Sequence, residues 1–189
     1  MEDDTDGPAM AQPPPRGGGI APGTILNGTY RIEALIGSGG MGEVYRAINI
    51  EDGEREAIKV ITPRAYDLDE FERLLRREAR LMRAISSPEV AQLRALAREP
   101  TLGILYLVTE YVDGPSLGSR ISAGAATSDE LIMLMRRVAR GLGAAHEQNL
   151  IHRDISPDNI LLAGNRIDRA KIIDFGIAKN MEIGADTVV

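Results

Sequence analysis

From Tyr30 to Ile36 apolar and charged residues alternate, with Tyr30, Ile32, Ala34 and Ile36 on one side and Arg31 and Glu33 on the other. That period of two predicts a half-buried strand. After the glycine-rich stretch Gly37-Ser38-Gly39-Gly40-Met41-Gly42, residues Glu43–Ile48 read as a second strand, so the glycines fall at a hairpin turn. Glu56–Ile61 predicts a third strand, in which Ala57 and Lys59 share one face while Ile58 and Val60 take the other. Residues 67–85 predict a long helix, with Asp67 as N-cap and Glu70 three residues on. Its apolar positions Leu68, Phe71, Leu75, Met82 and Ile85 leave one turn of the seam unfilled, and Glu78 occupies that turn.

Gln92–Arg98 and Leu102–Tyr111 predict two more strands, the second nearly all apolar and therefore buried. Asp113-Gly114-Pro115 breaks the latter. Thr127-Ser128-Asp129-Glu130 is a capping box opening a helix to about Gln148. Its stripe is Leu131, Leu134, Met135, Val138, Leu142 and Ala145, a core face on which His146 is structural. Two short apolar runs, Ile160–Ala163 and Ala170–Ile173, flank a Gly164-Asn165 turn signal and predict a hairpin. The class is α+β: a small antiparallel sheet with one long helix, followed by a mainly helical part.

Composition narrows the picture. A chain of 189 residues, 43% hydrophobic and 26% charged, has an ordinary globular balance with length for one domain or two small lobes. Residues 1–23, with Pro13-Pro14-Pro15 and Gly17-Gly18-Gly19, lack the large apolar residues needed to order themselves and read as an acidic, disordered tail. The net charge of −6 argues against nucleic-acid binding. The absence of cysteine excludes disulfides, thiolate chemistry and Cys-based zinc sites. Two histidines are too few for a His-rich metal site, and no apolar run is long enough to span a membrane. The acidic N-terminus has no apolar core of a signal peptide, so the default location is cytoplasmic, with no membrane partner.

Candidate chemistry gathers around the last hairpin. His152-Arg153-Asp154-Ile155-Ser156-Pro157-Asp158-Asn159 enters it, and Asp174-Phe175-Gly176 leaves it. Asp154, Asn159 and Asp174 thereby converge as oxygen-bearing side chains on one rigid element, a set suited to Mg²⁺ with phosphates. The glycine pattern alone is ambiguous. A dinucleotide fingerprint needs a helix after the glycines, and a P-loop needs Gly-Lys-Ser/Thr, so neither applies here. Glycines at a strand turn let backbone N–H groups approach oxyanions, which fits a flap over phosphates. Lys59 in an apolar strand and Glu78 in a buried helix stripe each need a partner, and each is the natural candidate for the other.

At these residues the chain resembles the eukaryotic-like protein kinases, especially the bacterial serine/threonine branch. The resemblance covers roughly Ile25 to Val189. It implies a small lobe (residues 24–112) and the first part of a large lobe (113–189), binding ATP and Mg²⁺ and acting on protein substrates. By that resemblance Asp154 orients the attacking hydroxyl, Asn159 and Asp174 hold Mg²⁺, and Lys59, fixed by Glu78, grips the α- and β-phosphates. The flap Ile36, Gly37, Ser38, Gly39, Gly40, Met41 and Gly42 closes over the triphosphate. Thr109 is the gatekeeper, the backbones of Glu110 and Val112 bond the base edge, and Val44, Ala57 and Leu161 sandwich its faces. His152 and Phe175 resemble the packed spine between lobes, and Arg153 the arginine that pairs with an activation-loop phosphate, for which Thr187 is the one candidate hydroxyl after Asp174. A second copy is the candidate partner for dimerisation or autophosphorylation.

Two positions depart from the family pattern. Ser156 stands where serine/threonine kinases usually carry a lysine, which implies slower phosphoryl transfer. The chain ends at Val189 within the expected activation segment, without an Ala-Pro-Glu motif, and a truncated record is the simplest expectation. Apolar surface on the 127–148 helix is then expected to lie uncovered. The alternative class is a nucleotide-binding pseudokinase or docking module. Small-molecule kinases are disfavoured by the flap and by His152-Arg153-Asp154.

Overall fold

The computed structural model describes residues 19–39, 42–61, 68–124 and 127–175. Gly40, Met41, Asp67, Gly176 and Thr187, all named above, lie outside them, as does most of the expected tail. Six strands form one antiparallel sheet: β1 (Ile25–Leu26), β2 (Tyr30–Gly39), β3 (Gly42–Asn49), β4 (Arg55–Ile61), β5 (Leu93–Glu99) and β6 (Ile104–Glu110), in the order β1-β2-β3-β4-β6-β5. Helix α1 (Leu68–Ala84) crosses one face. After β6 the chain forms α2 (Leu117–Ala123), α3 (Ser128–Glu147) and a two-stranded hairpin of β7 (Ile160–Leu162) and β8 (Ala170–Ile172).

Strand alternation divides the sheet, β2 excepted, into two faces. Ile32, Tyr45, Ala47, Ile58, Val60, Tyr106 and Val108 make a core on the outer face, with Leu26 beneath the N-terminal segment. Residues 19–23, expected to be part of the tail, pack here instead. The Ile20 amide donates to the Tyr45 hydroxyl and that of Gly23 to the Ile32 carbonyl, both at 2.8 Å. Ile20 supplies the large apolar side chain that the rest of that segment lacks.

Strand β2 does not keep the simple alternation expected of it. Register shifts at Ile32/Ala34 and Leu35/Gly37 interrupt its pairing with β3, and only Ile32 is buried along its length. A bulge inserts a residue and turns the following side chains over. Ile36 is thus freed from the core and faces the cleft described below.

The inner face of the sheet packs on α1 through Phe71, Leu75, Ala79, Met82 and Ile85. The seam therefore runs in steps of 4, 4, 3 and 3, and Ala79, not Glu78, fills the turn that lacked a large apolar residue. Glu78 lies half-buried beside it. This core continues without a break into the helical half through Val90, Leu93, Ala145, Leu150, Ile172 and Phe175.

Backbone bonds tie the hairpin to both neighbours. Ile172 N–H donates to Glu89 O at 2.8 Å and Ala91 N–H to Ile172 O at 2.9 Å, while Leu162 N–H donates to Pro115 O at 2.9 Å. The hairpin is thereby sewn to the segment before β5 on one side and to the segment after β6 on the other.

Helix α3 carries the expected cap: the Thr127 side chain accepts from Glu130 N–H and the Glu130 carboxylate accepts from Thr127 N–H. Its expected stripe is only half buried. Leu134 and Ala145 are in the core and Val138 and Leu142 pack against it, but Leu131 and Met135 are exposed together with Ile132 and Met133. Uncovered apolar surface on this helix was expected, and its first half carries it.

Replacing Thr127 by Ala removes one half of the reciprocal cap and is expected to cost about 1 kcal/mol. Urea unfolding with Thr127→Ser alongside checks this, since serine retains the acceptor and leaves the midpoint nearly unchanged.

Candidate nucleotide site

Between the inner edge of the sheet and the hairpin lies a cleft of about 880 Å³. Its roof is Ile36, Gly37, Ser38, Gly39, Gly42 and Val44 from β2 and β3, with Ala57 and Lys59 from β4. Thr109, Glu110 and Val112 line its inner side, and Leu161, Asn159 and Asp174 its floor. Of the residues proposed from sequence to hold nucleotide or metal, every one described lines this single cavity. Asp154 and Glu78 are not among its lining residues. Ile61, Met82, Leu107, Tyr111, Asp158 and Phe175 line it without having been anticipated. The period-of-two count puts Ile61 on the Ala57 and Lys59 face, so that signal was available. Asp158 had no such signal: it is placed by the Ser116 hydroxyl, 3.2 Å from its Oδ1.

Two of the glycines are used differently from the third. A Cβ on Gly42 would lie 1.9 Å from the Val60 carbonyl oxygen, and its φ of +129° disfavours other residues. Gly42 is thus required by the β3–β4 contact. Among the described residues Gly39 has nothing within 4 Å of such an atom and Gly37 only Val44 Cβ at 3.8 Å, and both glycines line the cleft.

The loop carrying Asp154 is held from below by His152, which is 2% exposed. His152 Nε2 donates to Ile173 O at 2.9 Å and Nδ1 accepts from Asp154 N–H at 3.3 Å. One nitrogen donating and the other accepting defines the neutral Nε2–H tautomer. Burial pushes its pKa below the usual 6.5, against weaker opposing effects from Ile173 O and from the Asp154 and Asp174 carboxylates. The ring stacks obliquely on Phe175, with centroids 4.6 Å apart. The packing expected of His152 and Phe175 is thus present.

Asn159 Nδ2 donates to Asp154 O at 2.8 Å, and Ile173 N–H donates to Asn159 O at 2.9 Å. These bonds bring the ends of the two loops side by side. Arg153 and Asp174 both adopt left-handed backbone, with φ of +60° and +58°. Such conformations are uncommon outside glycine and are retained where the surroundings enforce them. At Asp174 the turn sets its carboxylate facing β4.

There the expected ion pair is replaced. Lys59 Nζ lies 2.6 Å from Asp174 Oδ1, so the ammonium of β4 is paired with the carboxylate beyond β8 rather than with Glu78 of α1. In the seam of α1 the buried position is taken by Ala79, with Glu78 half-buried next to it. A second pair of reversed polarity joins β8 to β6. Lys171 Nζ of β8 contacts Glu110 Oε1 at 2.6 Å and Oε2 at 2.8 Å, and Gln92 N–H donates to that second oxygen at 3.3 Å.

A cleft roofed by a glycine hairpin, with a strand lysine facing an aspartate across it, is the arrangement of a protein kinase. The family model "Protein kinase domain" matches residues 30–189, and the chain belongs to that family. It is 34% identical over 164 residues to the serine/threonine-protein kinase PknA of Mycobacterium tuberculosis, covering 85% of this chain and 38% of that protein. It is 33% identical to pkn2 of Myxococcus xanthus and 35% identical to PrkC of Bacillus subtilis. These alignments cover 87% and 82% of this chain but only 20% and 24% of those proteins. The chain thus spans from a fifth to under two-fifths of these relatives' lengths. Among solved structures, the PknI kinase domain of M. tuberculosis superposes with a TM-score of 0.74 at 27% identity, over 90% of this chain and 69% of that one. Rad53 in complex with AMP-PNP gives 0.69 at 27% identity, over 79% of this chain and 38% of that one.

Gly42→Ala is expected to destabilise the protein by about 1–3 kcal/mol, the usual cost of overpacking, whereas Gly39→Ala should change the unfolding free energy, measured by urea titration, by less than about 0.5 kcal/mol. Equal effects would mean that the two glycines serve the same purpose. For His152, the folded state binds fewer protons than the unfolded one, so its contribution to stability is complete above pH 6.5 and is lost as pH falls below it. An NMR titration of the ring should place its midpoint under 6.5; a midpoint at or above that value contradicts the burial argument.

Proposed function

We propose that this chain is the nucleotide-binding part of a serine/threonine protein kinase, transferring the γ-phosphoryl group of ATP to a protein hydroxyl. The observation that supports it best is the Lys59–Asp174 contact within the glycine-roofed cleft, with Asn159 also in its lining. The division falls at residue 112: residues 24–112 supply the roof and 113–189 part of the floor. The adenine ring fits against Val44, Ala57 and Leu161, with the main chain of Glu110 and Val112 at its edge and Thr109 beyond it. Lys59 neutralises phosphate charge, and Gly37 and Gly39 admit backbone N–H groups to phosphate oxygens.

Asn159 and Asp174 have the hard oxygen donors that Mg²⁺ prefers. When held there, the ion would supply positive charge that offsets the charge of the phosphates. Lys59 would then exchange its contact with Asp174 for the phosphates. Asp154 accepts the proton of the attacking hydroxyl, as the new O–P bond forms and ADP departs. Its main chain is positioned for this by neutral His152, and its carbonyl by Asn159. Glu78 is the candidate to receive Lys59 if α1 shifts inward.

A second reading, a pseudokinase or docking module, draws on Ser156, which puts a hydroxyl where a lysine would assist the transferring phosphate. Transfer of radiolabel from [γ-³²P]ATP to a generic protein substrate separates the two. The kinase reading expects incorporation that Asp154→Asn lowers by at least 100-fold, with ATP affinity retained. The module reading expects the same background from both proteins. Mg·ATP should also raise the thermal midpoint of the parent chain, and Asp174→Ala should remove most of that rise.

A further inference from the structure

Strand β4 faces two ways. The alternation that turns Ala57 and Lys59 into the cleft turns Glu56 to the outer side of the sheet with Ile58 and Val60. There a separate pocket of about 500 Å³ opens beside the start of β4 and the end of β6, and Glu56 is part of its lining. The residue is only 6% exposed, and among the described residues its Oε2 is shielded from solvent with no hydrogen-bond partner. Its other oxygen has Arg94 Nε at 3.7 Å, beyond hydrogen-bond range, and the Arg94 side chain is 53% exposed. A buried carboxylate oxygen without a donor is a costly feature that a native structure seldom keeps without a use.

The surroundings say which donor it would take. Asp52 and Glu54, from the β3–β4 turn, line the same pocket. Glu110 stands opposite Glu56 in the strand register but is already engaged by Lys171. Tyr30 and Tyr111 add two aromatic rings. Carboxylates combined with tyrosine rings recognise ammonium and guanidinium groups, through charge-assisted hydrogen bonds and cation–π contact. Arg55 and Arg94 also border the pocket, but both side chains are more than half exposed and neither reaches Glu56 Oε2. No group of three acidic or histidine side chains able to hold a metal ion occurs among the described residues, so a compact divalent cation is not the fitting ligand.

We propose that this pocket binds an organic cation, a guanidinium or primary ammonium group on an alkyl stem, which displaces Arg94 and supplies the missing donor to Glu56. Burial, reinforced by Asp52, Glu110 and Glu54 against the pull of Arg94, pushes the Glu56 carboxyl up to about 7. Only its ionised form accepts from a cation, so binding strengthens as pH rises through that value. Glu110 and Tyr111 line both this pocket and the nucleotide cleft, but Glu56 lines only this one, and the proposal does not depend on the function proposed above.

Calorimetric titration of the full chain with agmatine tests the proposal. Saturable binding is expected at pH 8, about tenfold weaker at pH 6 as Glu56 takes up its proton, and abolished in Glu56→Gln, whose thermal transition reports that it is folded. Arg94→Ala should bind agmatine several-fold more tightly, since the competing guanidinium is gone. N-acetylarginine methylamide, titrated in parallel, distinguishes a free amine from an arginine side chain of a protein; either order of affinity leaves the pocket assigned. Absence of saturation, equal binding by Glu56→Gln, or weaker binding by Arg94→Ala overturns it.

Discussion

Two lysine–carboxylate pairs of opposite polarity cross the boundary between the sheet and the helical half, and both end on one short stretch of chain. Lys59 reaches from β4 to Asp174, and Lys171 reaches from β8 to Glu110. All four side chains are partly screened from water, between 18% and 38% exposed. Such pairs are worth more than solvated surface pairs, and removing one partner leaves a charge that is costly to keep. Between the two anchors Ile172 is buried in the core that spans both halves. Residues 170–175 are thus held by charge at two points and by apolar packing between them. This stretch decides where Asp174 and, through the Ile173–Asn159 backbone bond, Asn159 come to rest.

The two pairs differ in what they leave free. The Glu110 pair sits where β6 ends, beside the backbone proposed to meet the adenine edge, and it is completed within the protein by the Gln92 amide. The Lys59 pair lies inside the cleft, and each of its members has chemistry for a phosphate or a metal ion. One pair therefore acts as a fixed brace and the other as a contact that a bound nucleotide can exchange. The left-handed backbone at Asp174 belongs to the same economy, since it turns the carboxylate toward β4 at some conformational cost.

Much of this was legible in the chain. Strand alternation placed Lys59 with Ala57 on the cleft face, and the capping box located the start of α3 to the residue. The Gly164-Asn165 signal marked the hairpin that carries the floor of the site; both residues there have positive φ. Where the reading failed, a local count met a packing choice it had no access to. Counting only large apolar side chains in α1 promoted Glu78 into the seam, whereas the small Ala79 is the residue buried in the core there. Assuming unbroken alternation in β2 buried Ala34 and Ile36, whereas two register shifts release Ile36 to the cleft. The stripe of α3 counted Leu131 and Met135 as core, although a helix face is buried only where another element reaches it.

Local composition and spacing by themselves determined which residues form strands, helices and turns, and which side of each strand a side chain takes. Those properties depend on the geometry of neighbouring residues alone. The pairing of Lys59 with Asp174, the Glu110–Lys171 brace and the burial of Glu56 Oε2 without a hydrogen-bond partner were decided only by the tertiary structure. Each depends on how two elements settle against each other once their cores have packed, which periodicity along a single element does not report.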